Sequence, residues 1–362
     1  MTINLNNARR RSARLLALLG ASSLALAACS STGTAGEGDA NSASNSSTSA
    51  ESMDKVAVSA SFYPIAWLAE KIGGDSVAVT SVTPANVEPH DFELAPADVD
   101  ALSKSNLLLY VEGFQPSLDD AIANVSGPSV VNLADAVDLM AADPAAVDEH
   151  DHGAEGEEHA DDHDHEAEGE EHADDHDHEA EGEEHAHEHD HGSLDPHFWL
   201  DPVRMKDAAV AVAAALSETA PDMKATFDAN AKEIESQLDA LNEKFTAGLE
   251  KCELSTFVTS HSAFSYLANR YNLKQTSISG VDPESEPSPA ELAAVKEVVA
   301  ETGTTTIFTE ELVSPKTAEA VANETGAKTA VLSPIESQPE AGDYIAAMEA
   351  NLANLQSALS CM

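Results

Sequence analysis

Histidines are the residues of this sequence whose chemistry and spacing are most informative. The chain has 15 histidines, and 12 of them fall in residues 149–191, a segment that also holds 21 acidic residues and neither Lys nor Arg. The other three are His90, His197 and His261, which lie far apart along the chain. Neutral imidazoles suit Zn²⁺, and three of them with one oxygen donor complete a tetrahedron. The sequence therefore predicts one zinc site, provided that the fold brings the three histidines together.

The predicted secondary structure places these histidines where ligands are usually bound. His90 follows the second predicted strand, and His261 follows the predicted strand Thr256–Thr259 by two residues. In open α/β sheets, ligands bind outside the carboxyl ends of parallel strands. His197 lies in the proline-bracketed segment DPHFWLDP at residues 195–202, just before a long predicted helix. Because the histidines come from both halves of the chain, we expect them to meet in a cleft between two lobes.

A fourth ligand is expected from a carboxylate in the second half of the chain. Glu310 and Glu311 follow the predicted strand 304–308, and Glu336 follows the predicted strand 328–332. Position alone does not choose among these residues, and a water molecule can also complete a zinc site that has three protein ligands.

The alternation of strands and helices predicts an α/β fold with two lobes. Short β-branched runs alternate with segments of helical periodicity before residue 142, and the same alternation is found after Cys252. This alternation predicts parallel sheets built from βαβ units. We expect residues 54–220 to form the N-terminal lobe, 221–250 a long rigid linker helix and 251–362 the C-terminal lobe. The metal site would lie in the cleft between the lobes. The predicted strands span residues 56–60, 76–82, 106–111, 130–133, 256–259, 274–278, 304–308 and 328–332.

The N-terminus has the features of a targeting segment. Four arginines between residues 9 and 14 precede an apolar run at 15–28, which is shorter than the roughly 20 residues of a membrane span. The run ends in Leu-Ala-Ala before Cys29, which resembles the lipobox of bacterial lipoproteins. This implies a signal peptide at 1–28, a lipidated Cys29, a flexible tether at 29–53 and an anchored, extracytoplasmic protein at the cell surface or in the periplasm. The alternative is an ordinary signal peptide followed by an incidental cysteine.

Cysteine content predicts a disulfide, and the net charge restricts the class of partner. Once Cys29 is assigned to the anchor, Cys252 and Cys361 remain, and two thiols outside the cytoplasm are expected to form a disulfide. The formal net charge of -47 excludes nucleic acid as a natural partner.

The acidic histidine-rich segment contains an internal repeat. The thirteen residues HADDHDHEAEGEE at 159–171 recur without change at 172–184. Alanine is the largest apolar residue in the repeat, so it cannot form a packed core, and we expect a disordered loop over residues 143–193. Alternating histidine and aspartate predict weak binding of several divalent ions. The alternative is a tract that only solubilises the protein.

Six short motifs together give the chain a family resemblance. It resembles the solute-binding proteins of bacterial zinc and manganese ABC importers over nearly its full length after the predicted signal peptide. The motifs are SFYP at 61–64, VEPHDFE at 87–93, DPHFWLDP at 195–202, SHSAF at 260–264, ESEPS at 284–288 and LSPIE at 332–336.

This resemblance implies both a site and a function. It implies metal binding by His90, His197 and His261 and favours Glu336 over Glu310 as the fourth ligand. Manganese-binding relatives have a glutamate at the position of His261, so the histidine here indicates zinc. The implied protein is a monomer that captures Zn²⁺ and passes it to a membrane permease, and it is not an enzyme. The alternatives are a manganese-type binding protein, a surface metal buffer or adhesin, and a secreted zinc hydrolase.

Overall fold

The computed structural model describes residues 55–142 and 194–362. The predicted signal peptide, Cys29, the tether at 29–53 and the histidine-rich loop at 143–193 lie outside the described residues. Within the described ranges, no helix combines the length and the apolar character that crossing a membrane requires.

The first lobe is a parallel sheet flanked by helices. Its four strands are ordered β2-β1-β3-β4, and every neighbouring pair is parallel. The central strand β3 is apolar and buried, as expected for a strand covered on both faces. The elements are β1 (Val56–Ala60), α1 (Tyr63–Gly73), β2 (Val77–Ser81), α2 (Pro96–Leu102), β3 (Leu107–Tyr110), α3 (Pro116–Ile122) and β4 (Ser129–Asn132).

Two long helices follow the first lobe. The helix α4 (Pro202–Thr219) begins with a proline, and the Asp201 side chain accepts a hydrogen bond from the backbone N–H of Val203, so the helix start is well defined. The helix α5 (Lys224–Leu249) has 26 residues, which is about 39 Å at 1.5 Å per residue. Its buried side chains lie at helical spacing, and α5 packs against both α1 and α4.

The second lobe repeats the topology of the first. Its parallel strands are ordered β6-β5-β7-β8, which matches the order in the first sheet. The last helix, α9, packs against α5, so α5 contacts both lobes. The elements are β5 (Thr256–Thr259), α6 (Ser265–Arg270), β6 (Lys274–Ser277), α7 (Pro289–Thr302), β7 (Thr306–Thr309), α8 (Lys316–Thr325), β8 (Lys328–Val331) and α9 (Tyr344–Ala358).

A disulfide bond links the residues that follow α5 to the residues that follow α9. Cys252, just after α5, forms a disulfide with Cys361, just after α9. The two residues also form an isolated antiparallel bridge. The disulfide therefore joins the end of the long helix to the end of the chain.

The predicted fold class is confirmed, because two α/β lobes with parallel sheets are present and a long helix contacts both. The helix α3 was missed in the sequence interpretation. It has only seven residues and buries only Leu118 fully, so it lacks a periodic apolar stripe. The strand β7 lies two residues later at its start than the predicted 304–308.

Candidate metal centre

His90 is carried by the long loop between β2 and α2. The side chain of Glu88 accepts hydrogen bonds from the backbone N–H groups of His90 and Asp91, at 3.0 Å each, which fixes the turn. The amide of Gln115, a buried residue, donates to the carbonyl of Pro89 at 3.2 Å. The ring of Phe114 packs edge-on against the imidazole of His90, with centroids 4.5 Å apart. The loop is thus held on both sides of His90.

His197 is fully buried, and a carboxylate fixes its orientation. Oδ1 of Asp195 lies 2.8 Å from Nδ1 of His197 and accepts the backbone N–H of the same residue at 2.9 Å. The bond to Nδ1 leaves Nε2 free to face the cleft. A carboxylate that holds a histidine through its second nitrogen is a recurrent feature of metal sites, because it sets the tautomer and strengthens the donor.

His261 follows β5 by two residues and has a similar arrangement. Its Nδ1 lies 2.6 Å from Oε2 of Glu310, an ion-pair distance at which the N–H direction is not aligned for a hydrogen bond. Oε1 of Glu310 accepts the backbone N–H of His261 at 3.2 Å. The amide of Gln275 donates to the carbonyl of His261 at 3.0 Å. Glu310 therefore lies behind His261, on the side away from the cleft.

Glu336 is buried and lies at the end of a strained turn after β8. The preceding residue, Ile335, has a φ of 59° and is buried. A β-branched residue in this left-handed region is unusual and costs on the order of 1–3 kcal/mol. The indole N–H of Trp199 donates to the carbonyl of Pro334 at 2.7 Å and anchors the turn. The strained backbone directs the Glu336 carboxylate towards the histidines.

The four side chains form one cluster of donor atoms. One atom from each of His90, His197, His261 and Glu336 lies within 4.8 Å of the others. Nε2 of His90 and Nε2 of His197 are 3.3 Å apart. Oε1 of Glu336 lies 3.5 Å, 3.5 Å and 3.8 Å from Nε2 of the three histidines in sequence order. Tetrahedral Zn²⁺ with bonds of about 2.0–2.1 Å separates its ligand atoms by about 3.3–3.4 Å, so the cluster has nearly the required size.

Two of these donor atoms have no hydrogen-bond partner among the described residues. They are Nε2 of His261 and Oε1 of Glu336, and both are buried. Burying an unpaired polar atom costs about 1–3 kcal/mol. Both atoms point into the cluster, so a cation bound there would satisfy both. The donor set therefore fits a divalent metal ion.

The charges around the cluster also favour a cation. The carboxylates of Asp195, Glu310 and Glu336 are buried, and histidines are their only ion-pair partners within the described part of the chain. Buried charges are stable when they are paired or when they coordinate a metal. A dication would compensate most of this negative charge.

The same contacts shift the pKa of two ligand groups in the metal-free chain. Burial lowers the pKa of His197, but its hydrogen bond with Asp195 and the nearby carboxylate of Glu336 outweigh burial and raise the pKa to about 9. Burial acts in the opposite direction on Glu336, but the nearby imidazoles of His197 and His90 hold the pKa of that carboxyl well below its usual range. Without metal, His197 therefore carries a proton that faces an ionised Glu336.

The structure assigns different positions to the residues singled out in the sequence. It brings His90, His197, His261 and Glu336 together, places Glu310 behind His261, and leaves Glu311 exposed outside the cluster. Sequence reasoning missed the role of Asp195 as the partner of His197. Its position two residues before a candidate ligand was the available signal.

A cavity of about 260 Å³ adjoins the cluster at Glu336. Residues from both lobes line it, including Trp67 and Thr83 from the first lobe and Ser337 and Asp343 from the second. The hydroxyl of Ser337 accepts the backbone N–H of Asn86 at 2.7 Å, so the lobes are joined next to the cavity. The donor cluster thus lies in the interior of a cleft that two lobes close.

The repeated lobes, the long helix and the interlobe donor cluster define the class of two-lobed α/β solute-binding proteins. The family described as zinc-uptake complex component A, periplasmic (ZnuA), matches residues 58–358. The chain belongs to this family, whose members are zinc-binding components of ABC importers.

Individual relatives agree with this assignment. The chain is 34% identical over 355 residues to the high-affinity zinc uptake system protein ZnuA of Bacillus subtilis, covering 95% of this chain and 97% of the relative. It is 33% identical over 311 residues to the zinc-binding lipoprotein AdcA of Streptococcus pneumoniae, covering 83% of this chain but only 55% of AdcA. The chain thus spans about half the length of that relative.

A solved structure extends the similarity to three dimensions. The laminin-binding protein Lmb of Streptococcus agalactiae, described as bifunctional with adhesin and metal-transporting activity, superposes with a TM-score of 0.68. It is 29% identical, and the match covers 84% of this chain and all of Lmb.

Proposed function

We propose that this protein captures Zn²⁺ outside the cytoplasm with His90, His197, His261 and Glu336 and delivers it to the permease of an ABC importer. The observation that carries the proposal is the buried cluster in which these four residues place one donor atom each within 4.8 Å of one another. Family membership supports the choice of zinc and of import.

The donor set favours zinc over manganese. Three imidazole nitrogens and one carboxylate oxygen suit Zn²⁺ in a tetrahedral site, whereas manganese prefers more oxygen ligands. His261 supplies the third nitrogen at the position where manganese-binding relatives are expected to have a carboxylate.

The same donor set favours a metal-binding protein over a zinc enzyme. A catalytic zinc normally keeps an open position for water or substrate and has a general base close by. Here the four protein donors are sufficient to fill a tetrahedron. The further buried carboxylates of Glu310 and Asp195 lie against Nδ1 of His261 and of His197, on the side of each ring that is away from the cleft. We therefore propose a binding protein without enzymatic activity, acting as a monomer.

Anchoring completes the proposal. Cys29, which follows the predicted signal peptide, is the proposed site of diacylation, and residues 29–53 would tether the lobes to the membrane close to the permease. Mass spectrometry of the membrane-extracted protein should find the lipid on Cys29. Substituting Cys29→Ser should release the protein from the membrane fraction without changing zinc binding.

Zinc competition titration tests the metal site itself. The full chain, stripped of metal and titrated against a chelator of known zinc affinity, should show one tight site in addition to weak binding. The variant His197→Ala should lose the tight site, whereas Tyr271→Phe, a change outside the donor cluster, should retain it. A wild-type chain without a tight site would refute the proposal. Impaired growth of a gene-deleted strain on scarce zinc, restored by the wild-type gene but not by His197→Ala, would establish import.

A second candidate function is adhesion to laminin, which the similarity to Lmb favours. Immobilised laminin should then retain the purified full chain in a saturable manner. Binding that disappears at physiological salt, as expected of a nonspecific charge interaction, would remove this candidate.

A further inference from the structure

The segment that carries His197 begins at a short two-stranded neck, which residues 140–141 and 194–195 form. Residues 142 and 194 flank the 51 residues between the two described parts of the chain. Beside them, Ala141 and Leu194 form an antiparallel bridge, and the backbone N–H of Asp195 donates to the carbonyl of Met140 at 2.9 Å. The neck thus ends at Asp195, whose side chain orients His197.

One side chain of the second lobe joins both arms of this neck. The hydroxyl of Tyr266, on α6, donates to the carbonyl of Asp195 at 2.5 Å and accepts the backbone N–H of Met140 at 2.8 Å. The ring of Tyr266 is buried, and the guanidinium of Arg204 lies 5.0 Å from its centroid. The hydroxyl is therefore held rigidly where the two arms meet.

We propose that Tyr266 is a positioning residue for the metal centre, which acts through Asp195 to hold His197 in its zinc-binding orientation. The inference rests on the proposed zinc site. A continuous series of contacts supports it, from the Tyr266 hydroxyl to the carbonyl of Asp195, and from the Asp195 carboxylate to Nδ1 of His197 at 2.8 Å. Tyr266 touches no donor atom of the cluster.

The position of the hydroxyl explains how Tyr266 can act on the site. The hydroxyl is fixed to α6 of the second lobe and bonds to both arms of the neck, so it holds the backbone of Asp195 in place. The side chain that orients His197 extends from that backbone. His261 lies five residues before Tyr266, so the same stretch of chain supplies one ligand and positions another.

The substitution Tyr266→Phe removes the hydroxyl and keeps the ring. Removing groups that orient a metal ligand typically costs about 10–100-fold in metal affinity. Because Tyr266 acts one contact further from the metal, we expect a loss at the lower end, about tenfold in Zn²⁺ affinity. Tyr271→Phe is the matched control, since its hydroxyl donates to Asn242 at 3.1 Å and lies outside this series of contacts. The control should keep wild-type affinity even if both variants lose similar thermal stability.

Two further measurements separate positioning from a general loss of stability. With one equivalent of Co²⁺ bound, the visible d–d spectrum should change in Tyr266→Phe and not in Tyr271→Phe. In a double-mutant cycle, Tyr266→Phe is also introduced into the Asp195→Asn variant. There it should lower Zn²⁺ affinity by less than about threefold instead of tenfold, because the effects of coupled residues are non-additive. Unchanged affinity and spectrum in Tyr266→Phe, or full additivity in the cycle, would overturn the inference. A wild-type chain that binds no zinc would instead overturn the proposed function.

Discussion

Nε2 of His90 and Nε2 of His197 lie 3.3 Å apart, although 107 residues separate them in the sequence. His90 is held by a loop of the first lobe and His197 by the segment that precedes α4, and both positions are fixed by hydrogen bonds that do not involve a metal. The fold therefore brings the nitrogen donors to ligand spacing before any ion binds. Such preorganisation reduces the ordering cost of binding.

The two buried glutamates that lie near His261 provide a direct test of ligand identity. We expect Glu336→Gln to weaken Zn²⁺ binding much more than Glu310→Gln, because only Glu336 contributes an oxygen to the cluster. The effect of Glu310→Gln should be about tenfold, the lower end for a group that orients a ligand. Chelator competition on both variants measures the difference. Equal losses, or a larger loss for Glu310→Gln, would show that the ligand assignment is wrong.

Metal preference should follow the chemistry of the third histidine. His261→Glu replaces an imidazole nitrogen with a carboxylate oxygen, and oxygen ligands suit Mn²⁺ better than nitrogen ligands do. The ratio of Mn²⁺ to Zn²⁺ affinity should therefore rise. Competition titrations with both metals measure this ratio, and His261→Gln controls for the loss of the ring without a new charge. An unchanged ratio would mean that the geometry of the site sets selectivity.

Zinc binding should release a proton at neutral pH. Because the hydrogen bond to Asp195 and the nearby Glu336 carboxylate raise the pKa of His197 to about 9, the metal-free protein keeps that proton above the ordinary histidine pKa of 6.5. Zinc requires the neutral ring, so apparent affinity should rise by up to about tenfold per pH unit between pH 6.5 and 9. Calorimetry at pH 7.5 in buffers of different ionisation enthalpy should count close to one proton released.

The same shift has a consequence for the stability of the metal-free protein. A raised pKa means that protonated His197 stabilises the folded state fully below pH 6.5, and that this contribution disappears as the pH rises through about 9. Asp195→Asn removes one cause of the shift, so it should reduce both the proton release and this pH dependence. Proton release that is close to zero in the wild type would contradict the assignment.

The disulfide should stabilise the fold without affecting the metal. Cys252 and Cys361 are 109 residues apart in sequence, and closing so long a loop contributes up to about 4–5 kcal/mol in the chain-entropy model. Replacing both cysteines with serine should lower the free energy of unfolding by a few kcal/mol or less and leave zinc affinity unchanged. Denaturant unfolding of the zinc-free chain measures this. Two alkylatable thiols in the native, non-reduced protein would refute the bond.

Much of the fold could be predicted from the sequence because the local hydrophobic patterns of its strands and helices were strong. The strands Val56–Ala60 and Thr256–Thr259 have the predicted bounds, since apolar runs mark them clearly. The long helix predicted after His197 is also present, and a proline marks its start. The short helix Pro116–Ile122 has no such stripe, and it was missed.

The parts of the site that were not predicted depend on tertiary contacts. Strand-end reasoning placed Glu310 and Glu336 equally well, and only the family resemblance chose between them. The structure separates them by the direction of their side chains, because the left-handed Ile335 turns Glu336 inward while Glu310 lies against Nδ1 of His261. The bond from the Tyr266 hydroxyl to Asp195 joins residues 71 positions apart, and no local pattern indicates it.

The central claim is that one tight zinc site is formed by the cleft and not by the histidine-rich segment. The most direct measurement is a zinc isotherm of the protein in which residues 143–193 are replaced by a short glycine-serine linker, alongside the full chain and the shortened protein with His197→Ala. The shortened protein should bind one Zn²⁺ with the tight affinity of the full chain and lose only weak sites, and His197→Ala should abolish the remaining one. Loss of the tight site on shortening, or its persistence in His197→Ala, would contradict the account.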